Sequence, residues 1–447
     1  MNINNYILSD NLCTWGNPKN ISLEVTNHCN LNCCHCFRHY YSFPKGYLAD
    51  ELFEKLKPDF LAAESLHLSL SGEPLAAPLF RDWLQWAILK NIPVSFTTNG
   101  LLLHRIQDIL TEGNISFVLS LDAVSEEGYR KTRGGDFQLL MRNIKMLNFI
   151  QQQREDGFPK FSVTCVVWKD NISELPEIIR FAHKYGAENV VCYHRIFYDQ
   201  KSLHSGSLLY DQKRSDAIME EAITLSQHLG IHFIHTPLFN GKYSLPEHGG
   251  FWLSGTPDDF DCNWITNNTN ISFNGLVFAC CYTDRLALGN VNHTDLKEIW
   301  NGANYRKLRS RITRRQYPYA CRNCMFRQVF DVQNPRSFLA PIKENDLFSE
   351  QIVPPEPYSL NLLNSAYLTG LAHMENNSFA SAEELFHQIL TAEPLCNEAM
   401  NAIGVIHGIN QCTDAAYGYF QKSLEIMPKY QPALSNIQTV KNLMQRE

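Results

Sequence analysis

Residues 21–36 read ISLEVTNHCNLNCCHC. The apolar run Ile21–Val25 has strand character. It leads directly into Cys29, Cys33 and Cys36, spaced C-x3-C-x2-C. Iron–sulfur clusters are ordinarily held by four cysteinates. Three on one short loop leave one iron without a protein ligand, and an open coordination position is what a reactive metal centre needs. Two other readings of these residues stand at this point. One is a zinc site that also uses Cys34 or His35; the other is a cluster whose fourth cysteine comes from elsewhere in the chain.

Working outward, short apolar runs recur at 66–70, 94–97, 116–121, 161–167, 189–193 and 231–235. Each reads as a strand. Between them lie stretches of helical spacing at 49–62, 79–89, 140–151, 175–184 and 215–229. Repeated strand–helix alternation implies a parallel sheet with helices outside. A run of such units closes, or partly closes, into a barrel whose site lies at the C-terminal ends of the strands.

Three more motifs follow the cysteines, each at the end of an expected strand. They are Ser71-Gly72-Glu73-Pro74, then Thr98-Asn99-Gly100, then Ser120-Leu121-Asp122-Ala123 followed by Tyr129 and Arg133-Gly134. Together with the cysteine spacing, this succession resembles the radical S-adenosylmethionine (SAM) superfamily over residues 20 to 237. The resemblance implies that Cys29, Cys33 and Cys36 hold a [4Fe–4S] cluster whose open iron chelates SAM. It implies that the Ser71-Gly72-Glu73-Pro74 turn approaches the methionine amine. Ser120 and Arg133 would approach the carboxylate, Asp122 would help fix the strand end, Asn99 would belong to the cofactor-binding set, and His35 would pack near the adenine. Reductive cleavage of SAM would then give a 5′-deoxyadenosyl radical that abstracts hydrogen from a substrate C–H bond. A one-electron donor such as flavodoxin or ferredoxin is implied as a partner. Two positions depart from the family pattern: Ser71 stands for a glycine, and His35 for an aromatic residue. Cys34 is not a family ligand position.

A second cysteine group comprises Cys262, Cys280, Cys321 and Cys324. The text between, Ile271 to Ala279, reads as a hairpin turning at Asn274-Gly275. This part resembles the SPASM/Twitch auxiliary-cluster domains of radical SAM enzymes. The resemblance implies a second, fully ligated [4Fe–4S] cluster on these four cysteines; a structural zinc ribbon is the alternative. Further on, Gly370, Ala382, Phe386 and Pro394 recur as Gly404, Ala416, Phe420 and Pro428. A period of 34 residues is that of the tetratricopeptide (TPR) helix–turn–helix repeat, with 432–445 as a capping helix.

The expected architecture is therefore α/β. A partial (β/α)6 TIM-like barrel occupies 1–237 and a small α+β auxiliary iron–sulfur domain occupies 238–345. A linker and all-α TPR-like helices occupy 346–447. The net charge of −7 gives no phosphate-neutralising surface, which argues against nucleic acid. No apolar run reaches the ~18 residues of a membrane span. The first residues lack a signal-peptide pattern, so a cytoplasmic protein is expected. Fourteen cysteines in a reducing compartment point to metal or redox chemistry. The function read from the sequence is radical SAM modification of a peptide or protein, with the repeats recognising substrate or a pathway partner. Dehydrogenation or epimerisation of a small carbinol is the alternative. A non-catalytic scaffold is a third reading, and the intact motifs count against it.

Overall fold

The computed structural model describes residues 6, 8, 16–39, 44–197, 200–236, 238–239, 262, 264–280, 287–313, 360–392, 394–427 and 430–444. The cysteines at 321 and 324, the linker and Pro428 lie outside these. Seven strands follow in chain order: β1 (Asn20–Leu23), β2 (Ser65–His67), β3 (Val94–Thr98), β4 (Ser116–Ser120), β5 (Lys160–Val167), β6 (Asn189–His194) and β7 (His232–His235). Each pairs in parallel with the next. Helices Asp50–Ala62, Phe80–Leu89, Phe137–Gln152, Leu175–Lys184 and Gln212–Leu229 lie near the expected positions. All seven expected strands are present, the seventh lying beyond the six of a (β/α)6 array. A short helix that the periodicity does not reveal, Glu126–Thr132, is set up by Ser125, whose hydroxyl accepts from the Gly128 N–H.

The sheet has two chemically different faces, because side chains alternate along a strand. One face is apolar and covered by the helices. Phe96, Phe117 and Phe161 lie in register on β3, β4 and β5. Their rings stack at 5.5 and 5.7 Å, and Phe80 of the second helix meets Phe96 edge-on. The other face carries Ser22, His67, Ser95, Thr97, Ser120, Ser162 and Thr164, all half-buried. His67 is satisfied there by the hydroxyls of Ser95 and Ser69 at 2.8 and 2.9 Å. Val118, Val166 and Val191 share this half-buried face, so the interior is mixed, polar along β2 and β3, where a closed barrel would be packed with branched apolar side chains throughout.

Three further strands extend the same sheet: β8 (Asn268–Ile271), β9 (Leu276–Phe278) and β10 (Ala287–Asn290). β8 pairs in parallel with β1, and β9 and β10 continue antiparallel. The expected turn is present, with Gly275 at φ +86°, a conformation that disfavours a side chain. The boundary expected near residue 238 is thus not a break in the sheet. Without β8, the edge of β1 would present unpaired backbone groups.

The C-terminal helices are Leu360–Glu375, Phe379–Ala392, Asn397–Ile409, Thr413–Ile426 and Gln431–Met444. A Cβ on Gly370 would lie 2.5 Å from the Phe386 ring, and one on Gly404 would lie 2.6 Å from Phe420. The same glycine–phenylalanine contact thus recurs at the spacing read from the sequence. This unit is joined to the preceding part by an ion pair at 3.2 Å between Arg306 and Glu398, both fully buried. Tyr6 also packs against it, at Gly408 and 6.3 Å from Phe420. No helix among the described residues is long and apolar enough to cross a membrane.

Removing one partner of a buried ion pair leaves an uncompensated charge, at a cost of ~3 kcal/mol or more. Glu398→Ala should accordingly lower the unfolding free energy by about that amount in denaturant melts. Glu383→Ala removes a more exposed carboxylate 3.4 Å from His407 and should shift it by less than ~1 kcal/mol. Equal effects of the two variants would show that Arg306 does not depend on Glu398.

Candidate active site

The loop after β1 is held by its own amides. Thr26 donates to the Gly46 carbonyl at 2.7 Å. Asn27 donates to the Pro44 carbonyl at 2.7 Å and accepts from the Gly46 N–H at 2.9 Å. On the loop so fixed, each of the three cysteine sulfurs faces an N–H donor. Asn99 Nδ2 lies 3.9 Å from Cys29 Sγ, Arg133 Nη1 lies 4.0 Å from Cys33 Sγ, and Arg38 Nε lies 3.3 Å from Cys36 Sγ. Burial pushes the Cys33 thiol up to about 11, while Arg133 draws it down.

The Ser71-Gly72-Glu73-Pro74 turn lies directly against this loop. A Cβ on Gly72 would sit 2.4 Å from the carbonyl oxygens of His28 and Thr26. The Glu73 N–H donates to His28 O at 2.8 Å. The Glu73 carboxylate is buried and accepts from Thr98 Oγ1 and the Asn99 N–H, both at 2.8 Å. Burial raises its pKa to about 7, against those hydrogen bonds. Glu73 thus ties the turn to the end of β3, and Pro74 starts a single 3-10 turn behind it.

Asp122 has no exposed surface. One oxygen accepts from the Val166 N–H at 2.8 Å; the other pairs with Arg133 Nε at 2.5 Å. Burial works against the charge of Arg133, but Asp122 first, and Cys33 when ionised, hold its pKa above the ordinary value. His35 Nε2 lies 3.5 Å from the same Asp122 oxygen, and its ring leans on Trp168 at 5.5 Å. Burial lowers the His35 pKa to about 4, so the ring is neutral at pH 7. Its Nδ1 is buried without a hydrogen-bond partner among the described residues.

These groups surround a cavity of about 490 Å³ at the C-terminal ends of the strands. Cys29, Cys33, Cys36, His35, Ser71, Gly72, Glu73, Asn99, Ser120 and Arg133 all line it; Pro74, Asp122 and Cys34 do not. Sequence reasoning missed Arg38 and the end of β6, where Tyr193, His194 and Arg195 complete the wall. Arg195 lies over the rings of Trp168 and Phe197 and donates to the Cys34 carbonyl at 3.1 Å. The available signal was position alone: an arginine two residues after the third cysteine, and a polar strand end like those before it. Of the second cysteine group, Cys262 and Cys280 are partly buried. Cys280 lines a second cavity, of about 320 Å³, which shares Phe37, Arg38, Leu70 and Ser71 with the first.

Comparison with known proteins bears on this arrangement. Residues 23–182 match the radical SAM superfamily. Residues 262–325 match an iron–sulfur cluster-binding domain, SPASM. The chain thus carries a radical SAM domain and, after it, a SPASM domain. Among curated relatives, the tungsten-containing aldehyde ferredoxin oxidoreductase cofactor-modifying protein of Pyrococcus furiosus is 24% identical over 70% of this chain and 89% of its own length. The AdoMet-dependent heme synthase of Methanosarcina barkeri is 27% identical over 65% and 85%. The mycofactocin maturase MftC of Mycobacterium ulcerans is 24% identical over 38% of this chain and 46% of its own. Of solved structures, native anSMEcpe with bound AdoMet is similar in fold, with a TM-score of 0.50 at 19% identity over 64% of this chain and 82% of that one.

The contact of Gly72 with two loop carbonyls makes it the most sterically restricted position of the site. Gly72→Ala should displace the loop bearing Cys29 and weaken SAM binding by roughly tenfold or more, at least 1.4 kcal/mol. Equilibrium dialysis with SAM against reconstituted protein measures this. Parent-like affinity would show that the turn and the cysteine loop do not act together.

Proposed function

We propose that this radical SAM enzyme holds a [4Fe–4S] cluster on Cys29, Cys33 and Cys36, binds SAM in the 490 Å³ cavity, and modifies a peptide or protein. The observation that carries the reading is the set of three free thiols, each facing an N–H, on the rim of one cavity at the strand ends. The donor set fits: thiolates suit iron, and N–H donors toward them stabilise the charged form. The cradle fits as well, since Gly72 leaves no room for a side chain and the His35 Nδ1 is an unused polar atom inside it. Bound there, cluster and SAM would supply the 5′-deoxyadenosyl radical that takes hydrogen from a substrate C–H bond.

The chain's own residues do the positioning. Arg133, oriented by Asp122, would meet the SAM carboxylate through a charge-assisted hydrogen bond. Ser120 would add a hydroxyl beside it. The Ser71–Pro74 turn, braced by Glu73 and Asn99, would present backbone groups to the methionine amine. His35, neutral at pH 7, would offer a planar face and one ring nitrogen to the adenine. Cys262, Cys280, Cys321 and Cys324 would hold an auxiliary [4Fe–4S] cluster beside the second cavity. A low-potential donor such as flavodoxin or ferredoxin would deliver the electron in the cytoplasm.

The peptide reading is supported by the maturase among the relatives, and by the second cavity adjoining the first. The helical unit, read as TPR-like repeats, would recognise the peptide or a pathway partner. The Arg306–Glu398 pair joins it to the preceding part of the chain. A second reading, a small-molecule substrate, draws on the cofactor-modifying protein and the heme synthase, which match far more of this chain.

Anaerobically reconstituted protein should contain about eight irons per chain, as two cubane clusters require. The triple change of Cys29, Cys33 and Cys36 to Ala should leave about four and abolish 5′-deoxyadenosine formation. Peptide fractions that raise 5′-deoxyadenosine formation above the uncoupled rate would support the first reading. Stimulation confined to fractions of low molecular mass would transfer the assignment to the second.

A further inference from the structure

Glu24 stands one residue beyond β1 and takes no part in the site described so far. It is 8% exposed and faces the cavity of about 320 Å³ that reaches Cys280. Its partners are the Ser71 hydroxyl, which donates to Oε1, and the Phe273 N–H, 3.4 Å from Oε2. A carboxylate offers about four acceptor positions, so two remain. No cation pairs with it among the described residues. Burial raises its pKa, and the two hydrogen bonds draw it back only in part. A buried carboxylate without a counter-charge is costly, and such a group at a cavity wall marks a functional site.

The rest of the cavity has matching chemistry. Phe37, Phe273 and Phe278 contribute three aromatic rings, and Asn270 an amide. Aromatic faces beside a carboxylate are a recurrent setting for organic cations. Two cationic residues also touch this cavity. Arg38 is committed elsewhere, with its nitrogens on Cys36 Sγ and the carbonyls of Asn27 and Leu31. Lys45 is exposed at the rim.

We propose that Glu24 anchors a cationic group of the substrate, an alkylammonium or guanidinium, in this second cavity. Anchored there, the substrate lies between Cys280 and the wall shared with the SAM cavity, with neighbouring carbons directed toward that wall. Ser71, which departs from the family glycine, gains a reason: its hydroxyl fixes the carboxylate from the SAM side. The proposal deepens the reading of the two cavities as one reaction site, and Glu24 is a positioning residue within it.

The test is equilibrium dialysis of n-butylammonium and propylguanidinium against reconstituted holoenzyme, with neutral propylurea as control. The parent should retain the cations in preference to propylurea. Glu24→Gln keeps the shape and an acceptor for Ser71, and should weaken cation binding by roughly tenfold or more, as loss of a charge-assisted bond implies, at unchanged iron content. Phe273→Leu removes one ring and should weaken it by about threefold, within the range of an aromatic–cation contact. That variant keeps the proposal testable should Glu24→Gln fold poorly. Undiminished binding by Glu24→Gln, propylurea held as tightly as the cations, or no cation retained by the parent would each overturn it. Cations held through Glu24 by an enzyme that turns over no peptide would sink the peptide reading and leave this site standing, with small amines as its substrates.

Discussion

The site turns on a buried ion pair. Asp122 has no exposed surface, and one oxygen grips Arg133 while the other holds the backbone of Val166. Such pairs seldom add to stability, because desolvation of two charges offsets their attraction. Their effect here is positional. Asp122 follows β4, Val166 lies on β5, Arg133 ends the short helix after β4, and His35 leans in from the cysteine loop. A single carboxylate therefore sets the relative placement of four segments around the cavity. It leaves the guanidinium charged and directed at Cys33 and at the space where an anionic group would sit.

Around that pair, the sheet divides labour between its faces. The Phe96–Phe117–Phe161 stack and the helices over it supply the rigid side. The opposite face keeps hydroxyls in a half-exposed interior, which an apolar barrel core would have filled. The same economy governs the turn at Gly72. It approaches the cysteine loop so closely that only hydrogen fits, and Glu73 then spends both oxygens on β3. A second cavity lies at the seam between β1 and the auxiliary hairpin, where Glu24 and Phe273 meet.

Much of this was legible in the amino-acid order. Strand and helix positions follow from periods of two and 3.6, which are properties of neighbouring residues. The cysteine spacing and the three strand-end motifs name the chemistry, and ten of the twelve residues they pointed to line one cavity. Gly370 and Gly404 declared their phenylalanine partners through the 34-residue repeat. The short helix at 126–132 escaped notice because seven residues, a glycine among them, carry little periodicity.

By itself, then, the sequence determined the parallel α/β framework, the three-thiol site and the helical repeat, since each is written in local spacing. Only the tertiary structure decided what long-range closure controls. It paired β8 with β1, set Arg133 against Cys33 and brought the end of β6 to the cavity wall. It also set Glu24 against Phe273, 249 residues away, beside a second cavity. The physical reason is that edge pairing and burial depend on which surfaces meet once the sheet has twisted and its helices have packed. No residue's immediate neighbours carry that information.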